Sequence, residues 1–281
     1  MKVGMNFLLW ADGANAKEHE NAIRKIKGWG FDGIEFHVNG FTDKDILMYK
    51  KLCEDMALEI TAASVLDSSI CNPLSDNVEL RQKAIDEMKR SIDKAQALGS
   101  RIVSGPMFQA IPYFSGKAAT PREWDYAVDC VRKGAEYAKQ YGIRIALEVI
   151  NRFEMYIVNT LAEGYRFVKE TGMDNVGLLA DTFHSNLEEK NIIESWDSVF
   201  DKIYYIHISE NDRGIPGTGH AIPAGLKELF KKHDYEGWLT IEAFNNTVTG
   251  LISRLHLWRP YATSNDDIAR EGIRYIRNTL M

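Results

Sequence analysis

The chain has 281 residues, 45% of them hydrophobic and 26% charged, ordinary for a globular protein and long enough to bury a large core without staples. Its 34 basic and 40 acidic residues leave a net charge of −6, which argues against a partner gripped through nucleic-acid phosphates. Three cysteines without C-x-x-C spacing call for no disulfide framework, and no apolar run approaches the ~20 residues of a membrane span, so a cytoplasmic protein with no membrane partner is expected.

The apolar start, Lys2 to Trp10, meets Asp12 too early for a signal-peptide core and lacks a small-residue cleavage site, so it reads as a first strand. Strands are predicted near residues 3–8, 33–36, 59–65, 101–104, 144–148, 176–181, 203–208 and 238–242. Amphipathic helices fall between them. Leu80, Ala84, Ile85, Met88, Ile92, Ala95 and Leu98 form one inward stripe; Trp124, Val128, Val131, Ala135 and Ala138 form another. Thr120-Pro121-Arg122-Glu123 is a capping box with proline at the first helical position, and Thr160 to Glu163 starts a helix in the same way. Glycines such as Gly99, Gly172 and Gly237 stand where helices end and strands follow, as left-handed caps would.

Alternating buried strands and helices predict a parallel sheet. Eight repeats suit a closed (β/α)8 TIM barrel, a single α/β domain over residues 1–281. An open doubly wound sheet would place a glycine-rich phosphate turn after its first strand, where this chain has Leu9-Trp10-Ala11-Asp12-Gly13. Two long segments follow strands, 66–76 and 105–120. The second carries Pro106, Met107, Phe108, Ile111, Tyr113 and Phe114 and is expected to wall the mouth.

Four residues able to bind a metal end four successive apolar runs: Glu148, Asp181, His207 and Glu242. Their separations of 33, 26 and 35 residues are each about one βα unit. In a barrel the C-terminal ends of all strands share one mouth, so these side chains are expected to converge on one divalent ion. Three carboxylates and one imidazole are a mostly hard set, suited to Mn²⁺, with Mg²⁺ or Co²⁺ as substitutes, and less to Zn²⁺. Polar residues follow in the same βα loops. Arg152 and Glu210 are read as ion pairs supporting the ligands; His184 and Arg213 are read as substrate contacts.

Spacing alone defines a metal site without a reaction. The segments Glu148-Val149-Ile150-Asn151-Arg152-Phe153-Glu154, Asn159 to Gly164, and Asp181-Thr182-Phe183-His184-Ser185-Asn186 closely resemble the ketose 3-epimerases, the D-tagatose and D-psicose 3-epimerase group of the xylose-isomerase-like barrels. His207 to Arg213 with Pro216-Gly217-Thr218-Gly219, Ile241-Glu242-Ala243-Phe244 and Leu257-Trp258-Arg259 are similar to later segments of that group. The resemblance implies Glu148, Asp181, His207 and Glu242 as metal ligands, with Glu148 and Glu242 also the catalytic pair. It implies contacts from Glu154, His184 and Arg213 to the O1–O3 end of a ketose. Asn6 departs from the aromatic pocket residue of some members, and the 105–114 loop differs from theirs too.

The implied activity is epimerisation of free ketoses at C3. Its rivals are aldose–ketose isomerisation or keto-inositol dehydration on the same barrel, an endonuclease-IV-like site, disfavoured by only seven histidines and the negative charge, and a non-enzymatic sugar binder. A homodimer or homotetramer is expected, with Leu251, Leu255, Leu257 and Trp258 available to an interface or to the core.

Overall fold

Short apolar runs alternate with amphipathic helices along the whole chain, and their lengths set the architecture. The computed structural model describes the backbone of residues 1–281 and every side chain but that of Ala16. In chain order the elements are β1 (Lys2–Asn6), α1 (Ala16–Gly28), β2 (Gly33–His37), α2 (Asp43–Asp55), β3 (Glu59–Ala63), β4 (Leu66–Asp67), α3 (Val78–Leu98), β5 (Ile102–Gly105), β6 (Ala110–Ile111) and α4 (Pro121–Lys139). There follow β7 (Arg144–Glu148), α5 (Leu161–Thr171), β8 (Val176–Asp181), α6 (Thr182–Glu188), α7 (Ile192–Val199), β9 (Ile203–Ile208), α8 (Leu226–Lys232), β10 (Trp238–Ile241), α9 (Thr249–Ile252) and α10 (Asn265–Tyr275). Eight strands close a parallel barrel in the order β1-β10-β9-β8-β7-β5-β3-β2. This is the TIM barrel that the eight apolar runs predict.

Each barrel strand buries both faces, one inward and one under the helices. All six residues of β8 are buried for that reason. Inside, Ile102, Ala146, Leu179 and Tyr205 pack as one layer. Two residues further along the same strands stand Ser104, Glu148, Asp181 and His207, all buried. The period-2 alternation of a strand thus turns an apolar floor into a polar layer at the C-terminal mouth. Below, the Tyr205 hydroxyl joins Thr61 and Thr240, each at 2.7 Å.

Helix ends follow the local chemistry. Thr120 and Thr160 make capping boxes with Glu123 and Glu163, and Gly99 and Gly172 close α3 and α5 with φ of 85° and 69°. Gly237 is different: the left-handed residue after α8 is Asp234, at φ 48°. A Cβ on Gly237 would lie 2.4 Å from the Tyr235 ring, so glycine is there for room.

The two long segments are not plain loops. β4 and β6 pair in parallel, Leu66 with Ala110 and Asp67 with Ile111, and tie one wall to the other. Two-residue strands are too short to leave a pattern in sequence. In the C-terminal segment, Leu251 and Leu257 are buried with Phe244 and Val248, whereas Trp258 is 67% exposed. Among the described residues, no helix is long and apolar enough to cross a membrane.

Candidate active site

The four strand-end residues converge. One donor atom from each of Glu148, Asp181, His207 and Glu242 lies within 4.8 Å of the other three, and all four side chains are buried. In the ring of strands, Glu148 on β7 and Glu242 just past β10 are the outer pair; Asp181 on β8 and His207 on β9 stand between them. The group could hold a metal ion, and the imidazole supplies the test of fit. His207 Nδ1 is buried without a hydrogen-bond partner. It faces Glu148 Oε1 at 3.6 Å, Asp181 Oδ2 at 3.6 Å and Glu242 Oε1 at 3.7 Å, too far for hydrogen bonds and suitably placed around a common cation.

The other ring nitrogen is held by a residue the spacing argument missed. His207 Nε2 lies 2.9 Å from Glu35 Oε2 on β2, across the barrel interior. Glu35 is fully buried and accepts also from Asn6 Nδ2 at 2.8 Å and Ser104 Oγ at 2.6 Å. Burial works against its charge, but His207, together with His37 and Ser104, offsets burial and holds the Glu35 carboxyl below the usual carboxylate range. A carboxylate on the far nitrogen is what fixes the tautomer and angle of a metal-binding histidine. The signal was present as a charged residue between Ile34 and Phe36 in a buried strand.

Each member of the cluster is positioned by its local structure. Asp181 is the N-cap of α6: Oδ1 accepts from Phe183 N at 2.6 Å and His184 N at 3.3 Å, leaving Oδ2 toward His207. Although burial opposes ionisation, His207 and His184 hold this carboxyl down to about 2. Burial pushes Glu148 up, with the Glu242 charge adding to it against the pull of His207. Burial disfavours charge on His207 too, yet Glu35 and Glu242 raise its pKa well above the ordinary histidine value. Glu242 Oε2 receives the Arg213 guanidinium, and Asn6 Nδ2 lies 3.4 Å from its Oε1.

The three residues read as substrate contacts also gather here. Asn151 Nδ2 donates to Glu154 Oε1 at 2.9 Å and to His184 Nδ1 at 2.8 Å. That leaves the His184 proton on Nε2, 3.7 Å from Glu148 Oε1. Arg213, at φ 58°, is buried between the Phe183 and Phe244 rings, 4.8 and 4.5 Å from their centroids. Its Nε has no partner in the protein.

The support assigned to Arg152 and Glu210 is not as expected. Arg152 pairs with Glu188 at 2.6 Å and bonds no member of the cluster. Glu210 forms no ion pair. Its carboxylate accepts the backbone N–H groups of Gly217 at 2.8 Å, Ala221 at 3.1 Å and Asn211 at 3.3 Å, and so folds the loop after β9 around itself. Buried N–H donors in a turning loop satisfy a carboxylate as well as a cation does.

Residues 23–279 match the xylose isomerase-like TIM barrel family, and the chain belongs to it. A Synechocystis protein named as a probable ketose 3-epimerase is 30% identical, over 99% of this chain and 96% of its own. The D-psicose 3-epimerase of Agrobacterium fabrum is 28% identical over 100% of this chain and 99% of its own. The crystal structure of D-allulose 3-epimerase from Methylomonas sp., in complex with D-allulose, is similar with a TM-score of 0.92 at 29% identity, covering 99% of this chain and 96% of that one. With such full-length relatives, the chain is an enzyme of the isomerase class.

Proposed function

We propose that this protein epimerises free ketoses at C3, on substrates of the D-psicose, D-tagatose, D-fructose or L-ribulose kind. The observation that carries the reading is the convergence of Glu148, Asp181, His207 and Glu242 with the two glutamates as the outer pair. Those four residues hold one divalent cation, Mn²⁺ by the hardness of the donor set, with Mg²⁺ or Co²⁺ able to replace it. When bound, the ion supplies Lewis-acid stabilisation of the negative charge that loss of the C3 proton creates.

The chain's own residues do the rest. A C3–H of a ketose is only weakly acidic, and inversion needs a base on one face of C3 and an acid on the other. Glu148 and Glu242 flank that position from separate strands. One takes the proton as the other, protonated, gives one to the opposite face; in the reverse reaction they exchange roles. Burial, with the charge of Glu242 adding to it, pushes Glu148 up and so favours a proton there. Arg213 and Asn6 hold Glu242 at one side, and His184 stands beside Glu148 at the other. Glu154, His184 and Arg213 bind the O1–O3 end of the sugar.

Incubation of the Mn²⁺-loaded protein with D-fructose, D-tagatose, D-psicose and L-ribulose in D₂O tests this. The expected product is the C3 epimer carrying deuterium at C3. Formation of an aldose, loss of water, or sugar binding without product would each replace the reading with one of its rivals.

A further inference from the structure

Among the described residues, four buried side-chain atoms lack a hydrogen-bond partner: His207 Nδ1, Arg213 Nε, Asn175 Oδ1 and His37 Nε2. The first faces the carboxylate cluster, and the second belongs to Arg213, whose guanidinium meets Glu242. Asn175 precedes β8, at the other end of the barrel. His37 is left without an explanation. It is the last residue of β2, two beyond Glu35, so it faces inward one layer nearer the mouth. In the ring of eight strands, β2 stands four places from β8 in either direction, directly across from Asp181 and His184.

The ionic half of the mouth is β7 to β10. The other half is β5, β3, β2 and β1, and its remaining buried polar side chains are occupied. Asn6 and Ser104 bond Glu35, Ser64 bonds Ser91 at 2.8 Å, and Gln109 bonds Tyr113 O at 2.9 Å and Tyr156 N at 3.2 Å. A ketose with its O1–O3 end at β7 to β9 extends its other carbons toward β2. His37 is only partly buried as a residue, while a buried nitrogen without a partner costs about 1–3 kcal/mol, so a turn of the ring that brings Nε2 to a hydroxyl arriving with the substrate recovers that cost. We infer that His37 reads a hydroxyl on the C4–C6 part of the ketose and sets which sugar is preferred. Burial, partly opposed by Glu35 and Glu242, lowers the pKa of the ring and keeps it neutral, with one donor and one acceptor nitrogen, either of which suits a hydroxyl.

This inference rests on the epimerase reading and is tested so that the two can fail separately. kcat and KM are measured for the wild type, His37→Phe and His37→Gln on the preferred ketohexose and on its 1-, 4-, 5- and 6-deoxy analogues, with metal content and circular dichroism checked for each protein. His37→Phe is expected to lose about tenfold in kcat/KM on the parent sugar, chiefly through KM, as one hydrogen bond is worth. The same loss is expected with the 1-deoxy sugar, no loss with one of the 4-, 5- or 6-deoxy sugars, and partial recovery in His37→Gln. A uniform loss across all analogues, or none, overturns the role. The wild type alone also decides it: equal turnover of the parent and all three far-end deoxy sugars removes His37 as a reader even should a variant fail to fold. A wild type that epimerises no ketose defeats the functional reading itself.

Discussion

Replacing Glu35 by glutamine isolates the charge behind the His207 imidazole. Glutamine has the same shape, and its amide has a consistent way to sit. The carbonyl faces His207 Nε2 and Asn6 Nδ2, now 2.9 and 2.8 Å from Oε2; the NH₂ faces Ser104, whose hydroxyl turns to Ala62 O, already 3.3 Å away. Every hydrogen bond has a substitute, so the fold should persist. The charge does not. Loss of a partner behind a metal-binding histidine typically costs 10–100-fold in metal affinity, about 1.4–2.7 kcal/mol. The pH dependence has a definite sign. With Glu35 present, the His207 pKa is raised well above the ordinary value, so a proton competes with the metal at neutral pH. Glutamine weakens that competitor along with the ligand. The difference between wild type and variant should therefore be small near pH 6.5 and grow toward pH 8.5. Isothermal titration with Mn²⁺ at both pH values measures it. Equal affinities at both, in a variant with native circular dichroism, would show that Glu35 only fills space.

Glu148→Gln and Glu242→Gln each remove a carboxyl that must carry a proton, and kcat should fall by at least about 10²–10⁴-fold; near-normal turnover in either would defeat a two-glutamate inversion. Arg213→Ala strips the guanidinium from Glu242 and should raise KM or lower kcat for ketoses; unchanged steady-state constants would take Arg213 out of the pocket. Gly177→Ala places a Cβ 2.5 Å from the Tyr204 ring and 2.6 Å from Lys202 O, which is backbone and cannot swing away. Such overpacking costs about 1–3 kcal/mol, or a fall of roughly 2–12 °C in melting temperature. A melt indistinguishable from wild type would mean the barrel floor yields more easily than its geometry implies.

Legibility in the sequence followed periodicity. Strands of four to six residues bounded by glycine and helix caps leave a pattern, and all eight barrel strands lie where that pattern puts them. β4 and β6, with two residues each, leave none. The cluster of four was legible because each member ends its own apolar run, so chain spacing translated directly into a shared rim. Glu210 was misread because sequence reveals a carboxylate without revealing its donors, and three backbone N–H groups took the place assigned to a cation. Glu35 was harder still. It sits inside a strand, and its importance comes from His207, 172 residues away in the chain.

The two halves of the mouth carry different kinds of information for a physical reason. From β7 to β10 the strand ends present charge, and charge in a buried layer demands partners, so each residue there constrains its neighbours: Asp181 caps a helix, Glu242 takes Arg213, and His207 turns its outer nitrogen to Glu35. From β1 to β5 the buried groups of the rim are uncharged apart from Glu35, which reaches across to serve the other half. A neutral group such as His37 can change to another residue type without stranding a charge. The ionic half is therefore the more constrained of the two, and Glu35 is constrained with it. On the proposed reading, His37 is therefore the kind of position at which the preferred sugar changes, whereas Glu35, although on β2, is tied to His207 and so to the reaction.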